Sequence, residues 1–342
     1  MEKRVSLKDI ARKVGVSTAL VSYVLNNQKE NRISKEVAQK IRETAKLLNY
    51  RPNHIAKSLK TQKTFTIGLV VADIANAFFS TMARIIEDEA ENNGYTVIFA
   101  SSDEKPGRSE KLTEVLLDRQ VDGIILAPAE GTEAHVRALH QKGFPLVLID
   151  RYFPALAIPS VTVNNEEAAY RCTAHLVEVG CRRIGMIGFK TTLHHLQDRK
   201  KGFVKALKDH GIAVEDDQVK EVSLDARREE VERALAQLLA GPQPVDALFF
   251  ASNKLSTFGL KYINTLTLRV PDDLAICSFD QSDATELFYA TLTHVRQPMQ
   301  EMGKLALRLL LQGMNEGQKV EEIRLPAELV ISQSTQKGST KP

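Results

Sequence analysis

From Phe65 onward the chain alternates two patterns, and that alternation limits its fold more than any other feature of the 342 residues. Short runs rich in β-branched and aromatic residues read as strands: "FTIGLVVA", "YTVIFASS", "VDGIILAP", "FPLVLID", "RIGMIGF", "DALFFAS" and "LAICSFD". Between them lie amphipathic stretches with helical spacing, over 78–93, 107–119, 133–142, 165–179, 199–211 and 227–240. Strand and helix in regular succession predict an α/β fold, with parallel sheets covered by helices on both faces. The run is too long for one doubly wound sheet of ordinary size. Two lobes are therefore expected, split near residue 163.

The same region lacks the signatures of common α/β enzymes. No GxGxxG, P-loop or nucleophile elbow stands where a strand meets a helix, so the expectation is a protein that is not an enzyme and needs no cofactor. What the strand-end loops carry instead is polar: Asp73, Asp150, Asn253 and Asp280, at the ends where open α/β sheets bind ligands. Cys172, Cys181 and Cys277 match no zinc or redox spacing and read as buried reduced thiols. No apolar run approaches the roughly 18 residues of a membrane span, and no apolar leader follows Met1. A cytoplasmic protein with no membrane partner is expected.

The first residues follow another rule. In "SLKDIARKVGVSTALVSYVLNN", Leu7, Ile10, Ala11 and Val14 form one apolar stripe of a short helix, which Gly15 ends by allowing a sharp turn. Ser17 is a natural cap for a second helix whose inner face is Leu20, Val21, Val24 and Leu25. Its other face shows Thr18, Ala19, Ser22, Tyr23 and Asn26, which have no use in a core. Ser34 caps a third helix with Val37, Ala38, Ile41, Ala45 and Leu48 facing inward. Charge points the same way. Residues 1–63 hold 15 Lys/Arg against 5 Asp/Glu, whereas the remainder holds 31 against 38. A basic head on a mildly acidic body suits a polyanion. The arrangement is a helix-turn-helix, whose second helix can lay its small, polar first turn against base edges in a major groove.

These residues resemble the LacI/GalR family of bacterial transcription regulators. The resemblance rests on "SLKDIARKVGVSTALVSYVLNN", "LNYRPNHIAKSLKT" and "IGLVVADIANAFF", and runs to about residue 334. It implies a DNA-binding head joined to a two-lobed, periplasmic-binding-protein-like effector domain. Ser17, Thr18, Ala19, Ser22, Tyr23 and Asn26 are then expected on DNA. Asn53 would cap a hinge helix over 54–60, in which Leu59 wedges into the minor groove and Lys60 follows it. Tyr23 stands where relatives often carry Arg, so the operator's half-site is open. Base reading and a phosphate or packing contact are equal readings of Tyr23.

In the effector domain the resemblance implies that Phe78 or Phe79 stacks on the ligand, that Arg199 forks onto it and that Asp280 and Asn253 hydrogen-bond it. Leu224 supplies an apolar wall. His194 and His195 fall in the loop before Arg199, and adjacent histidines make a poor metal site, so no metal is expected. Together with Arg199 and Lys254 they give a cleft basic enough to suggest an acidic effector, a sugar acid or sugar phosphate. Implied domains are 1–52 (head), 53–64 (hinge helix and linker), 65–162 with 291–322 (lobe 1), 163–290 with 323–334 (lobe 2) and a disordered tail at 335–342. The tail has no leucine heptads, so a homodimer on a pseudo-palindromic double-stranded operator is expected, repressing carbohydrate genes under control of a sugar-like effector. A purine or phosphoprotein corepressor, and a sugar-transport receptor, are the alternatives.

Overall fold

The computed structural model describes residues 5–26, 33–50, 63–240 and 243–336, and the chain divides into two compact units, Met1–Thr64 and Phe65–Pro342. The first holds three helices, α1 (Leu7–Val14), α2 (Thr18–Leu25) and α3 (Lys35–Leu47). Ser17 and Ser34 open α2 and α3 as expected, and Ser6 opens α1. Ser6 donates from its amide and hydroxyl to Asp9, while Ser17 and Ser34 accept from the amides of Leu20 and Val37. Gly15 takes φ 81°, open to glycine at little cost, and its amide closes on the Ala11 carbonyl. The apolar stripes meet in one small core of Ile10, Ala11, Val21, Val24, Ile41 and Ala45.

The second unit contains two six-stranded sheets with matching strand order. In sequence the strands are β1 (Thr66–Val71), β2 (Thr96–Ser101), β3 (Gly123–Leu126), β4 (Leu146–Ile149), β5 (Ser160–Val163), β6 (Ile184–Phe189), β7 (Val219–Val222), β8 (Ala247–Phe250), β9 (Ala275–Phe279), β10 (Thr293–Arg296), β11 (Glu322–Leu325) and β12 (Glu328–Val330). The first sheet runs β11-β5-β4-β3-β1-β2 and the second β12-β10-β9-β8-β6-β7. Every pairing is parallel except β10 with β12. The helices are α4 (Ala77–Asn92), α5 (Pro106–Asp118), α6 (Glu133–Gln141), α7 (Asn165–Glu178), α8 (His194–Asp209), α9 (Arg228–Leu239), α10 (Asn253–Ile263), α11 (Asp283–Leu287) and α12 (Met299–Glu316).

Where the chain passes between the sheets differs from expectation. It leaves the first sheet after β5, but β10 belongs to the second sheet, so the return falls after Arg296 and not near 290. α12 then lies on α4 in the first lobe, and β11 joins β5 before the last passage to β12. The segment 323–334 is expected wholly in lobe 2; it instead holds parts of two short strands, β11 in the first sheet and β12 in the second. They escape a periodicity reading because Glu322, Arg324 and Glu328 make edge strands look like loop.

Two further expectations change. Cys172 of α7 and Cys277 of β9 form a disulfide across 105 residues, whereas they were read as reduced thiols. Both sulfurs meet in the second lobe's core, where α7 lies on β9, a proximity no sequence spacing reveals. The buried Cys181 thiol stays outside it, 4.0 Å from the Asp246 carbonyl. The C-terminal segment is also ordered through Gln336: Ser334 and Thr335 are buried, and the Thr335 hydroxyl meets His175 Nε2 (2.8 Å) and the Thr293 hydroxyl (2.7 Å). Residues 337–342 lie outside the described residues.

Candidate functional site

The head offers one surface suited to nucleic acid. Ser17, Thr18 and Ala19 are exposed at the start of α2, and Ser22 and Tyr23 are half-buried beside them. Small side chains on the first turn permit close approach, and the helix's amide end favours phosphate. Asn26 is exposed but turned back, its amide donating to the Ser22 carbonyl (2.7 Å) and reaching the Ser22 hydroxyl (3.3 Å), so it closes the helix. Asn53, Leu59 and Lys60 lie outside the described residues.

The second unit holds a cavity of about 70 Å³ between its lobes, at the carboxyl ends of the strands. Of the expected ligand residues, Phe78, Phe79, His195, Arg199, Leu224, Asn253 and Asp280 line it. Phe78 and Phe79 pack edge to face, 5.1 Å between centroids. His194 does not reach the cavity: its ring lies against Tyr152, 5.9 Å away. The loop expected before Arg199 is instead the first turn of α8, which turns adjacent histidines to different sides. Asn76, Glu104, Arg151 and Gln297 line the cavity without having been singled out. Arg151 had a signal, since it follows Asp150 directly; Glu104 had none, because only tertiary folding carries it to Arg151.

Asp150 and Asp280 occupy corresponding positions in the two sheets, just past β4 and β9, both in left-handed backbone conformation (φ 66° and 71°). That conformation is uncommon outside glycine, though Asp tolerates it better than most residues. It delivers both carboxyls to two buried arginines. Arg151 forks onto Glu104 (2.7 and 2.6 Å) with Nε 3.7 Å from Asp150. Arg199 donates to Asn165 (2.8 Å) and the Ala251 carbonyl (2.7 Å), lies 3.7 Å from Asp280 and stacks on Phe279 at 3.5 Å. Asp280 also accepts from Gln297 (2.5 Å).

This pairing overturns the expectation of a basic cleft. Arg151 and Arg199 already face carboxylates, which leaves Lys254, donating to the Leu224 carbonyl (3.2 Å), against the carboxyls of Asp73, Glu104, Asp150 and Asp280 on the cavity wall. Burial, with Arg151, Arg199 and His194 adding repulsion, drives His195 well below the usual imidazole range, so it is uncharged. Asp150 is pushed up to about 6, chiefly by burial, with Asp280 and Glu104 adding to the rise and Arg151 and Arg199 opposing it. Between the ordinary value of 3.8 and about 6 the folded state therefore binds more protons than the unfolded chain. Asp150's contribution to stability is full below that window, declines through it and stays low above. Asp150→Asn removes the decline. Its stability relative to the parent should rise by on the order of 2–3 kcal/mol between pH 4 and pH 7 in urea titrations. A pH-independent difference would contradict the assignment.

Side-chain bonds also join the lobes around the cavity. Asn76, the cap of α4, and Asn253, the first residue of α10, exchange amide hydrogen bonds (3.2 and 2.7 Å). Tyr152 donates to Asp198 (3.0 Å), and Glu130 accepts from both the amide and hydroxyl of Thr192. Glu130→Ala deletes two such bonds without touching the cavity wall. Since these groups are partly exposed, about 1 kcal/mol of closed-state stability should go, about a fivefold loss in ligand affinity by calorimetry. Unchanged affinity would show that the clasp does not bias closure.

Comparison with known proteins fits this two-part construction. Residues 6–53 match the description "Bacterial regulatory proteins, lacI family", and 173–335 match "Periplasmic binding protein-like domain". Catabolite control protein A of Priestia megaterium is 33% identical over 337 residues, 97% of this chain and 99% of that protein. The ribose operon repressor of Halalkalibacterium halodurans is 32% identical over 97% of this chain and 98% of its own length. A periplasmic binding protein/LacI transcriptional regulator from Alkaliphilus metalliredigens, solved with D-xylulofuranose, superposes with a TM-score of 0.70 at 25% identity, over 80% of this chain and 99% of that one. Because the sequence alignments run through head and receptor alike, the chain belongs to the lacI family of bacterial regulatory proteins.

Proposed function

We propose that the chain is a cytoplasmic transcriptional repressor. It binds a pseudo-palindromic operator as a homodimer and is controlled by a neutral monosaccharide held between the lobes of its second unit. The observation that carries the ligand class is the internal neutralisation of the cleft. With both arginines facing carboxylates and His195 uncharged, an added anion would meet three carboxyls, Asp150, Asp280 and Glu104, and among the lining residues only Lys254 as a cation without a carboxylate of its own. The cavity as it stands, about 70 Å³, is far below the 300–1,000 Å³ of drug-sized sites, so the lobes must part to admit any ligand. Names among the relatives, a ribose operon repressor and a D-xylulofuranose complex, favour a pentose.

DNA binding rests on the exposed first turn of α2 in a basic head and on the relatives' naming as repressors. A second copy would suit the edge of the first sheet, where Ile98 and Phe99 of β2 and Val115 of α5 stand exposed. The test is selection of duplexes from a random pool by the full chain. The recovered sequences should converge on a two-fold symmetric site whose affinity falls steeply with salt and changes on adding D-ribose. No convergence would defeat the DNA reading. Convergence with a response only to sugar acids or nucleobases would defeat the neutral-sugar reading alone.

A further inference from the structure

Three polar atoms around the cavity are buried and, among the described residues, have no hydrogen-bond partner: Arg151 Nε, Gln297 Oε1 and His195 Nδ1. Buried polar atoms in folded proteins are nearly always satisfied, so three such atoms around one cavity need a common reason. His195 is the most telling. It is only 4% exposed, lies one turn before Arg199 on α8 and lines the cavity wall. Its neighbours Arg151 and Arg199 direct their hydrogen bonds to Glu104, Asn165 and the Ala251 carbonyl, and no described residue pairs with His195 Nδ1.

We infer that His195 is the specificity-determining residue of the cleft, its Nδ1 held in reserve for one hydroxyl of a neutral sugar. The inference rests on the sugar-binding reading above and adds to it the group that selects. An uncharged imidazole carries one donor and one acceptor nitrogen, and a hydroxyl can answer either. A carboxylate can answer only the donor, and it would also face Asp150, Asp280 and Glu104 across the cavity. Protonating the ring to welcome an anion is opposed by burial and by the two guanidinium groups. The residue thus favours hydroxyl over carboxylate without any steric barrier.

A reserved polar group and a structural one respond oppositely to substitution. His195→Leu removes an unsatisfied nitrogen, so the ligand-free full chain should melt at the same temperature or higher. Calorimetry with D-ribose should nevertheless show affinity falling about tenfold or more. His195→Asn, whose amide can stand near the position of Nδ1, should keep D-ribose affinity within about threefold of the parent. D-ribonate should bind none of the three proteins detectably. A ligand-free His195→Leu that melts well below the parent would make the residue structural and overturn the inference. So would equal D-ribose affinity in the parent and His195→Leu, while leaving the sugar reading intact. If the parent binds no monosaccharide among D-ribose, D-xylulose and D-glucose, the sugar reading falls and His195's role falls with it.

Discussion

Replacing Gly202 with alanine is expected to separate α7 from α8 and to abolish ligand binding along with much of the second lobe's stability. A Cβ at Gly202 would lie 2.1 Å from the Glu166 carbonyl oxygen, 2.9 Å from the Tyr170 amide and 3.0 Å from Ala169 Cβ. The first two are backbone atoms of α7, so no side-chain rotation relieves the clash and one helix must move as a body. Overpacking of this kind costs about 3 kcal/mol or more, which for a unit of this size lowers the melting temperature by roughly 6–12 °C. The functional loss has its own cause. Asn165, at the start of α7, holds Arg199 of α8 through a 2.8 Å bond, so sliding the helices apart releases the arginine. Thermal denaturation and calorimetry on the variant test both halves. A melting temperature within a degree of the parent would show that the close approach is not needed.

Arg199→Met should be as damaging to stability and distinguishable by pH. The substitution keeps an apolar stem against Phe279 but leaves the Ala251 carbonyl and Asn165 Oδ1 unpaired, and Asp280 with only Gln297. Removing one partner of a buried charged cluster costs about 3–5 kcal/mol, and Arg199 is buried, so solvent screening offers little relief. Without Arg199, Asp150 loses an attraction that favours ionisation, and its folded-state pKa rises further. The deficit should therefore shrink as pH falls from 7 towards 5, when the Asp150 carboxyl can protonate. Gly202→Ala, a steric lesion, should show no such recovery. Chemical denaturation at several pH values would separate them, and a pH-independent deficit in Arg199→Met would remove the electrostatic explanation.

Much of the fold was legible because each layer obeys a short-range rule. Gly15, Ser17 and Ser34 mark turns and caps by local chemistry, and the head's inner residues repeat at helical spacing. Six of the seven strands read from the sequence lie inside their sheets, and the seventh, β2, is an edge strand whose uncharged, β-branched and aromatic run still stands out. What was missed is long-range or marginal. β7, β11 and β12 carry charged residues at sheet edges. The cavity divides the same way. Arg199, Asp280 and Asn253 sit at strand ends or helix starts that periodicity locates. Glu104 meets Arg151 across 47 residues and Gln297 meets Asp280 across 17, through bonds no local pattern encodes. The basic cleft was misjudged for that reason: counting cations is possible in a sequence, pairing them is not.

The passages between the two sheets have a mechanical meaning. They fall beside β5, β10, β11 and β12, at the same flank of both sheets, and the Asn164 amide on the Leu325 carbonyl ties the first to the last. A body tethered by three strands along one flank swings like a door and resists twisting like a ball joint. Gln297 sits on the jamb, immediately after β10, and should travel least. Asn76 and Asn253 begin helices beyond the opposite, inner strands β1 and β8, so a small angular change at the tether becomes their larger parting. Leverage of that kind lets a sugar of few atoms command a displacement much wider than itself.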